Sequence, residues 1–182
     1  MFKKILITLI LTGFVPISAN EQITSSVKKL VGLIRFKKSD QAIAMIDTKT
    51  FSQSLLKSHW DNIDKEDQIE FEEAMKNFIK KKSFPIALEY FDKIDINYGK
   101  PKMNGKLGEQ PASILYKGSD KISFSWILNQ VNGKYLISDF STEGKSASET
   151  NRIKQFEPIF QKVNDDKKAI KEIIARVKKA SE

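Results

Sequence analysis

Side chains able to do acid–base, nucleophilic or metal chemistry are scarce in this sequence. It has one histidine, His59, and no cysteine, so the usual Cys/His zinc sets cannot be assembled. A Ser/His/Asp arrangement would have to use His59, and no nucleophile-elbow sequence accompanies it. His59 stands beside Trp60 near an expected helix end, where a structural or exposed imidazole competes with a general base. Asp139 lies inside an expected strand. It reads either as a buried carboxylate of shifted pKa or as a partnered structural acid at a sheet edge. No glycine loop of the phosphate-cradling kind occurs. The expectation is no catalytic residue, no metal and no cofactor.

Aromatic and aliphatic bulk is what the chain has in excess, with twelve phenylalanines and two tryptophans. Two readings follow: a filled core, or helices that stand off a sheet around an apolar cavity. A dry void costs roughly 1 kcal/mol for each methyl-sized gap, so it persists only when something selects for it. An apolar ligand supplies that reason, since each buried methylene contributes about 0.8 kcal/mol.

The elements that must hold these residues are a helical first half, a strand-rich middle and a helical tail. Residues 23–36 place Ile23, Val27, Leu30, Val31 and Ile34 at helical spacing. Short helices are expected over residues 41–46 and 51–60. Asp64, with Asp67 three residues on, predicts an N-cap for a helix to about residue 82, turning Phe71, Met75, Phe78 and Ile79 inward. Pro85 suits the first turn of a short helix over residues 86–91.

Then the period changes to two. Ile94, Ile96 and Tyr98 alternate as a half-buried strand, and a polar connection over residues 100–110 leads to a second strand at 112–117. After the turn Gly118-Ser119-Asp120, residues 121–130 form the strongest strand, with Ile122, Phe124, Trp126 and Leu128 on one face. Asn132-Gly133 is a type I′ hairpin signal, and residues 135–142 return as the fourth strand. On that strand either Tyr135 and Ile137 or Leu136 and Phe140 face inward. Helices resume over 149–163 and 166–179, the latter turning Ile170, Ile173, Ile174 and Val177 inward. Segregated helices and hairpins predict an α+β fold: a four-stranded antiparallel meander sheet with helices packed on one face.

Residues 1–19 read as a cleaved signal peptide: Lys3 and Lys4, an apolar stretch, then Ile17-Ser18-Ala19. The apolar run over residues 5–15 falls short of the roughly 20 residues a spanning helix needs. Residues 20–182 then form a single domain, expected to be soluble, exported and free of disulfides or a lipid-bearing cysteine. The formal charge is +8, with clusters at Lys80, Lys81 and Lys82 and over residues 162–179. Such a surface suits lipid headgroups or acidic proteins, unless the lysines merely solvate helix faces. Export argues against nucleic acid as a partner.

The order of features resembles the MlaC family, also called the toluene-tolerance proteins, over the whole mature chain. The resemblance is carried by Phe124-x-Trp126, the Asn132-Gly133 hairpin, Tyr135-x-Ile137-x-Asp139, Glu143-Gly144-x-Ser146 and Asn151-Arg152. Upstream, His59-Trp60, Glu70-Phe71 and Phe78 match a Trp-ended helix followed by an amphipathic one. Departures are Tyr135 where Trp is usual, Lys145, Ala147 and Ser148 where apolar residues are usual, and a Phe that follows Arg152 one position late.

The resemblance implies an NTF2-like shape and a periplasmic phospholipid carrier without enzymatic activity. Such a carrier moves lipid between an outer-membrane lipoprotein complex and an inner-membrane ABC transporter with an MlaD-type subunit, and a monomer is expected. Acyl chains would lie among Phe78, Ile79, Leu88, Phe91, Phe124, Trp126, Leu128, Phe140 and Phe160. Lys80, Lys81 and Lys82 would meet headgroup phosphate or an acidic partner. Two other readings stand beside it: an NTF2-like enzyme using Asp139 as a base on an apolar small molecule, and a filled-core envelope interaction protein.

Overall fold

The computed structural model describes residues 18–182. The expected signal peptide lies outside the described residues except for Ser18 and Ala19. Ser18 caps the first helix, α1 (Ala19–Arg35), through a reciprocal box in which its hydroxyl accepts from the Glu21 N–H and Glu21 accepts from the Ser18 N–H. The stripe Ile23, Val27, Leu30, Val31 and Ile34 is buried along it.

Two short helices follow, α2 (Ser39–Ile43) and α3 (Thr48–Leu56), the second continuing as a 3-10 segment at Lys57–Asn62. Next comes one long helical run: α4 (Lys65–Phe78), a π-helical turn at Ile79–Ser83, and α5 (Phe84–Phe91). Asp64 precedes α4 without capping it by its side chain; its carboxylate pairs with Lys167 instead. Within the π turn, the Phe84 N–H reaches back five residues to the Ile79 carbonyl. Pro85, which has no N–H to offer, comes next. The tail repeats the device. Helix α6 (Ala147–Asn151) passes through a π turn at Arg152–Phe156 into α7 (Glu157–Val163), again just before a proline, Pro158. Helix α8 (Asp166–Ala180) closes the chain.

The sheet is antiparallel and has six strands, not four: β1 (Asn97–Tyr98), β2 (Lys102–Asn104), β3 (Leu107–Tyr116), β4 (Asp120–Val131), β5 (Lys134–Thr142) and β6 (Lys145–Ser146). The segment 100–110, read from its polarity as a connection, is a hairpin. Asn104 pairs with Leu107 across Gly105 and Lys106, and Gly105 adopts φ +61, the left-handed conformation such a turn requires. Strand order is β1-β3-β4-β5-β6, with β2 also on β3.

A bulge settles which side of β5 faces inward. Leu128 pairs with Ile137 but Ile127 pairs with Asp139, leaving Ser138 as the extra residue. One extra residue inverts the alternation, so Tyr135 and Ile137 before it and Phe140 after it all share the face of Leu128 and Trp126. The two alternatives posed by strict period two are therefore both half right. Against the same place on β5, the chain before α3 docks in parallel: the Asp47 N–H reaches the Ile137 carbonyl at 2.7 Å and the Ile137 N–H reaches the Met45 carbonyl at 2.9 Å.

Two apolar cores result. The first joins α1, α2, α5 and the inner sheet face, and the second lies among α3, α4, α7 and α8. Phe51 packs against both. Helix α1 comes close to the sheet at Gly108, where an added Cβ would stand 2.6 Å from Ile23 Cδ1. Substituting Gly108→Ala is expected to destabilise the fold by about 1–3 kcal/mol. Ile23→Ala should cost less in that background than in the native one, read from urea unfolding midpoints of the four chains of the cycle.

Candidate apolar binding site

The inner face of the sheet is built by alternation on β4, which presents Phe124, Trp126 and Leu128, and by the bulge on β5, which adds Ile137 and Phe140. Helix α5 lowers Phe91 onto them. The rings pack edge to face and tilted: Phe124–Trp126 centroids are 4.9 Å apart, Phe124–Phe140 5.4 Å and Phe91–Phe124 5.9 Å. Tyr98 stacks on Trp126 at 6.1 Å, with the Lys28 ammonium 5.4 Å from the centre of the Tyr98 ring. Burial pushes the Tyr98 phenol above its ordinary range, against the opposing charge of Arg35. Phe124, Trp126, Leu128 and Phe91 are buried, whereas Leu88, Ile122, Phe140, Ile43 and Phe51 are only partly covered and edge the cluster. A closed, mainly aromatic centre with a partly covered apolar rim is a surface on which an extended hydrocarbon could replace ring contacts.

Of the nine apolar residues singled out in the sequence, Ile79, Leu88, Phe91, Phe124, Trp126, Leu128 and Phe140 belong to this core. Phe78 and Phe160 do not join them; both belong to the helical core. The reason is helical phase. A π turn inserts one residue, about 100° of rotation, so Phe71 and Met75 before it face the helical core while Ile79, Phe84 and Phe91 face the sheet. Tyr98 and Ile137 are members of the cluster that periodicity alone left out or undecided. Of the three lysines, Lys80 pairs with Asp40 on α2; Lys81 is exposed and Lys82 half-buried.

The two groups best suited to acid–base chemistry are both engaged. Asp139 Oδ1 accepts the N–H groups of Phe140 at 2.7 Å and Ser148 at 3.1 Å; Oδ2 accepts the hydroxyls of Ser146 at 2.5 Å and Ser148 at 2.7 Å. Four donors on one carboxylate leave it structural, pinning α6 to the end of the sheet. His59 lies flat on Phe160, centroids 3.7 Å apart. Its Nδ1 is 2.8 Å from Asp166 and its Nε2 3.3 Å from Glu157. A depression of about 600 Å³ opens beside it, lined by Asn62, Gln161, Asp165 and Asp166. Because the imidazole is already held between Asp166 and Glu157, the aromatic cluster is the stronger candidate site. Among the described residues, no cluster of three or more His, Asp and Glu side chains could hold a metal ion.

A family model described as MlaC protein matches residues 32–179. Among solved structures, the chain is similar to a phospholipid-binding protein from Ralstonia solanacearum, determined in complex with a phospholipid. Their identity is 13%, the match covers 91% of this chain and 97% of that one, and the TM-score is 0.72. At that identity the likeness is one of fold. No curated protein matches the chain.

The acid cluster makes stability depend on pH. Burial raises the Glu157 carboxyl, but the hydrogen bonds from Arg152 and His59 outweigh it and hold the group below the usual carboxylate range. A depressed folded-state pKa stabilises above the unfolded value, and that contribution is lost as pH falls through the folded one. Glu157→Gln should therefore be less stable than the native chain at about pH 7, with the gap narrowing as pH falls below the usual carboxylate range. Urea midpoints for both chains across that range provide the check.

Proposed function

The chain belongs to the MlaC family, and from that premise we propose that it is a periplasmic phospholipid carrier. Acyl chains occupy the space between α5 and the inner sheet face, against Phe91, Phe124, Trp126, Leu128, Phe140, Ile79 and Leu88. The carrier exchanges lipid between an outer-membrane lipoprotein complex and an inner-membrane ABC transporter through its MlaD-type subunit. The observation that carries this reading is the aromatic cluster on the sheet, buried at its centre and only partly covered at its rim.

The energetics support loading. An acyl chain of about sixteen carbons recovers on the order of 10 kcal/mol when its methylenes leave water. Parting the rings sacrifices about 0.5–1.5 kcal/mol for each aromatic pair separated, and packing of methylenes on the ring faces replaces part of that. Lys81 and Lys82 meet the headgroup phosphate, while Lys80 is held by Asp40. The engagement of Asp139 with four donors weighs against the enzyme alternative.

Protein purified without detergent should release stoichiometric phospholipid into organic solvent, identified by mass spectrometry. Preparations from two hosts that contain none would favour the filled-core interaction protein. Leu88→Asp, at the partly covered rim, and Trp126→Asp, at the centre, should lose the lipid while circular dichroism shows a folded chain. Phe160→Leu, in the helical core, should keep it.

A further inference from the structure

Phe36 is the most exposed large apolar side chain among the described residues, at 78%. It ends α1 on a turn in which the Lys38 N–H bonds the Leu33 carbonyl at 2.8 Å and the Lys37 N–H bonds the Ile34 carbonyl at 2.9 Å. This is a Schellman closure, whose left-handed position usually belongs to glycine. Here Lys37 holds it, at φ +55. A charged side chain therefore occupies a place where backbone strain favours its absence.

The ion pair between Lys80 and Asp40 joins the π turn to α2, three residues beyond this closure, and brings a second set of lysines to the same end of the molecule. The two segments that this ion pair joins, residues 36–43 and 79–83, carry Lys37, Lys38, Lys80, Lys81 and Lys82 and one acid, Asp40. Among the described residues, Lys37, Lys38, Lys81 and Lys82 have no carboxylate within ion-pair distance, and Asp40 pairs with Lys80. At the neighbouring turn, where Arg35 donates to the carbonyls of Phe91 and Ile94, Arg35 and Lys93 cancel Asp92 and Asp95.

We propose that this end of the molecule, Phe36 with Lys37, Lys38, Lys81 and Lys82, docks directly on an anionic phospholipid bilayer. The ring enters the boundary between headgroups and acyl chains while the lysine stems lie along it and set their ammonium groups among the phosphates. A lone exposed ring on a tight turn, flanked by long flexible cations, complements a fluid array of phosphates over hydrocarbon. This goes beyond the carrier reading, because it requires no lipid in the aromatic cluster.

Co-sedimentation of the full mature chain with vesicles tests it. The native chain should bind phosphatidylcholine vesicles containing phosphatidylglycerol, bind phosphatidylcholine alone far less, and be released by salt. Removing each lysine near the surface should weaken binding about fivefold, so the double change Lys81→Gln and Lys82→Gln should lose it substantially, and Phe36→Ser should weaken it too. Lys37→Gly supplies the sharpest readout: it should raise the thermal midpoint by relieving the left-handed strain while weakening vesicle binding. Lipid content of the Phe36→Ser and Lys37→Gly variants, whose residues take no part in holding the carried lipid, should equal that of the native chain, which separates this proposal from the carrier reading. Equal binding to both vesicle types, no binding to either, or binding unchanged in the lysine and Phe36 variants would overturn it.

Discussion

One face of the sheet cannot be left in water, and most of the fold is arranged to cover it. Phe124, Trp126 and Leu128 come to that face through the alternation of β4, and the Ser138 bulge brings Tyr135, Ile137 and Phe140 to join them. Burying each large apolar side chain contributes about 1.5–3 kcal/mol, so a face of this size outweighs any single local preference. Helix α1 answers with its stripe and approaches closely enough that any side chain at position 108 would force Ile23 to shift. Gln110, fully buried beneath it, is satisfied by Thr24 at 2.6 Å and by the Gly99 and Pro111 carbonyls at 2.7 and 2.9 Å. The outer edge of β5 is closed by the segment at Met45–Asp47 and by β6. That removes an open row of donors and acceptors from the strand.

The same demand explains the two π turns. A helix running from α4 to α5 in unbroken α geometry would keep one stripe on one side and serve one core. Widening a single turn shifts the stripe by about one residue, so the front half packs among helices and the back half on the sheet. Proline at the second position after the turn fits the device, because its missing N–H removes the α bond that the widened turn would otherwise compete with. The repeat at Arg152–Phe156 before Pro158 delivers Phe156 to the helical core by the same means.

Legibility in the sequence followed the range of the interactions involved. The stripes of α1 and α8 and the inward face of β4 are periodic within one element, and they lie buried as the spacing predicts, with Ile122 at the strand's start only partly covered. The Asn132-Gly133 turn is likewise local. The other two-residue turn has Gly105 and Lys106 at its centre, with only Gly105 at positive φ, and it is set in a polar stretch where alternation is too weak to mark the strands on either side. The bulge has no local signature at all: Ser138 is the extra residue only because β4 and the Met45–Asp47 segment pair around it. Phe78 and Phe160 look like any inward aromatic until the π turn's phase shift assigns them to the other core. Asp139 and His59 stand out as singular in the sequence, but their partners lie on elements that meet only in the folded chain.

A carrier for hydrocarbon has to be stable both empty and full, and an aromatic cluster meets that requirement better than branched aliphatic packing would. β-Branched side chains have one strongly preferred rotamer and leave a fixed void when their neighbours move. Flat rings can meet one another edge on or offset with little difference in energy, as the 21° to 85° interplanar angles around Phe124 and Trp126 illustrate. Empty, the rings fill the space between helix and sheet. With an acyl chain present, the same rings can offer their faces to methylenes at similar packing density. On the carrier reading, the filled core and the apolar cavity are therefore two packings of one set of side chains, and the sequence that encodes the first also encodes the second.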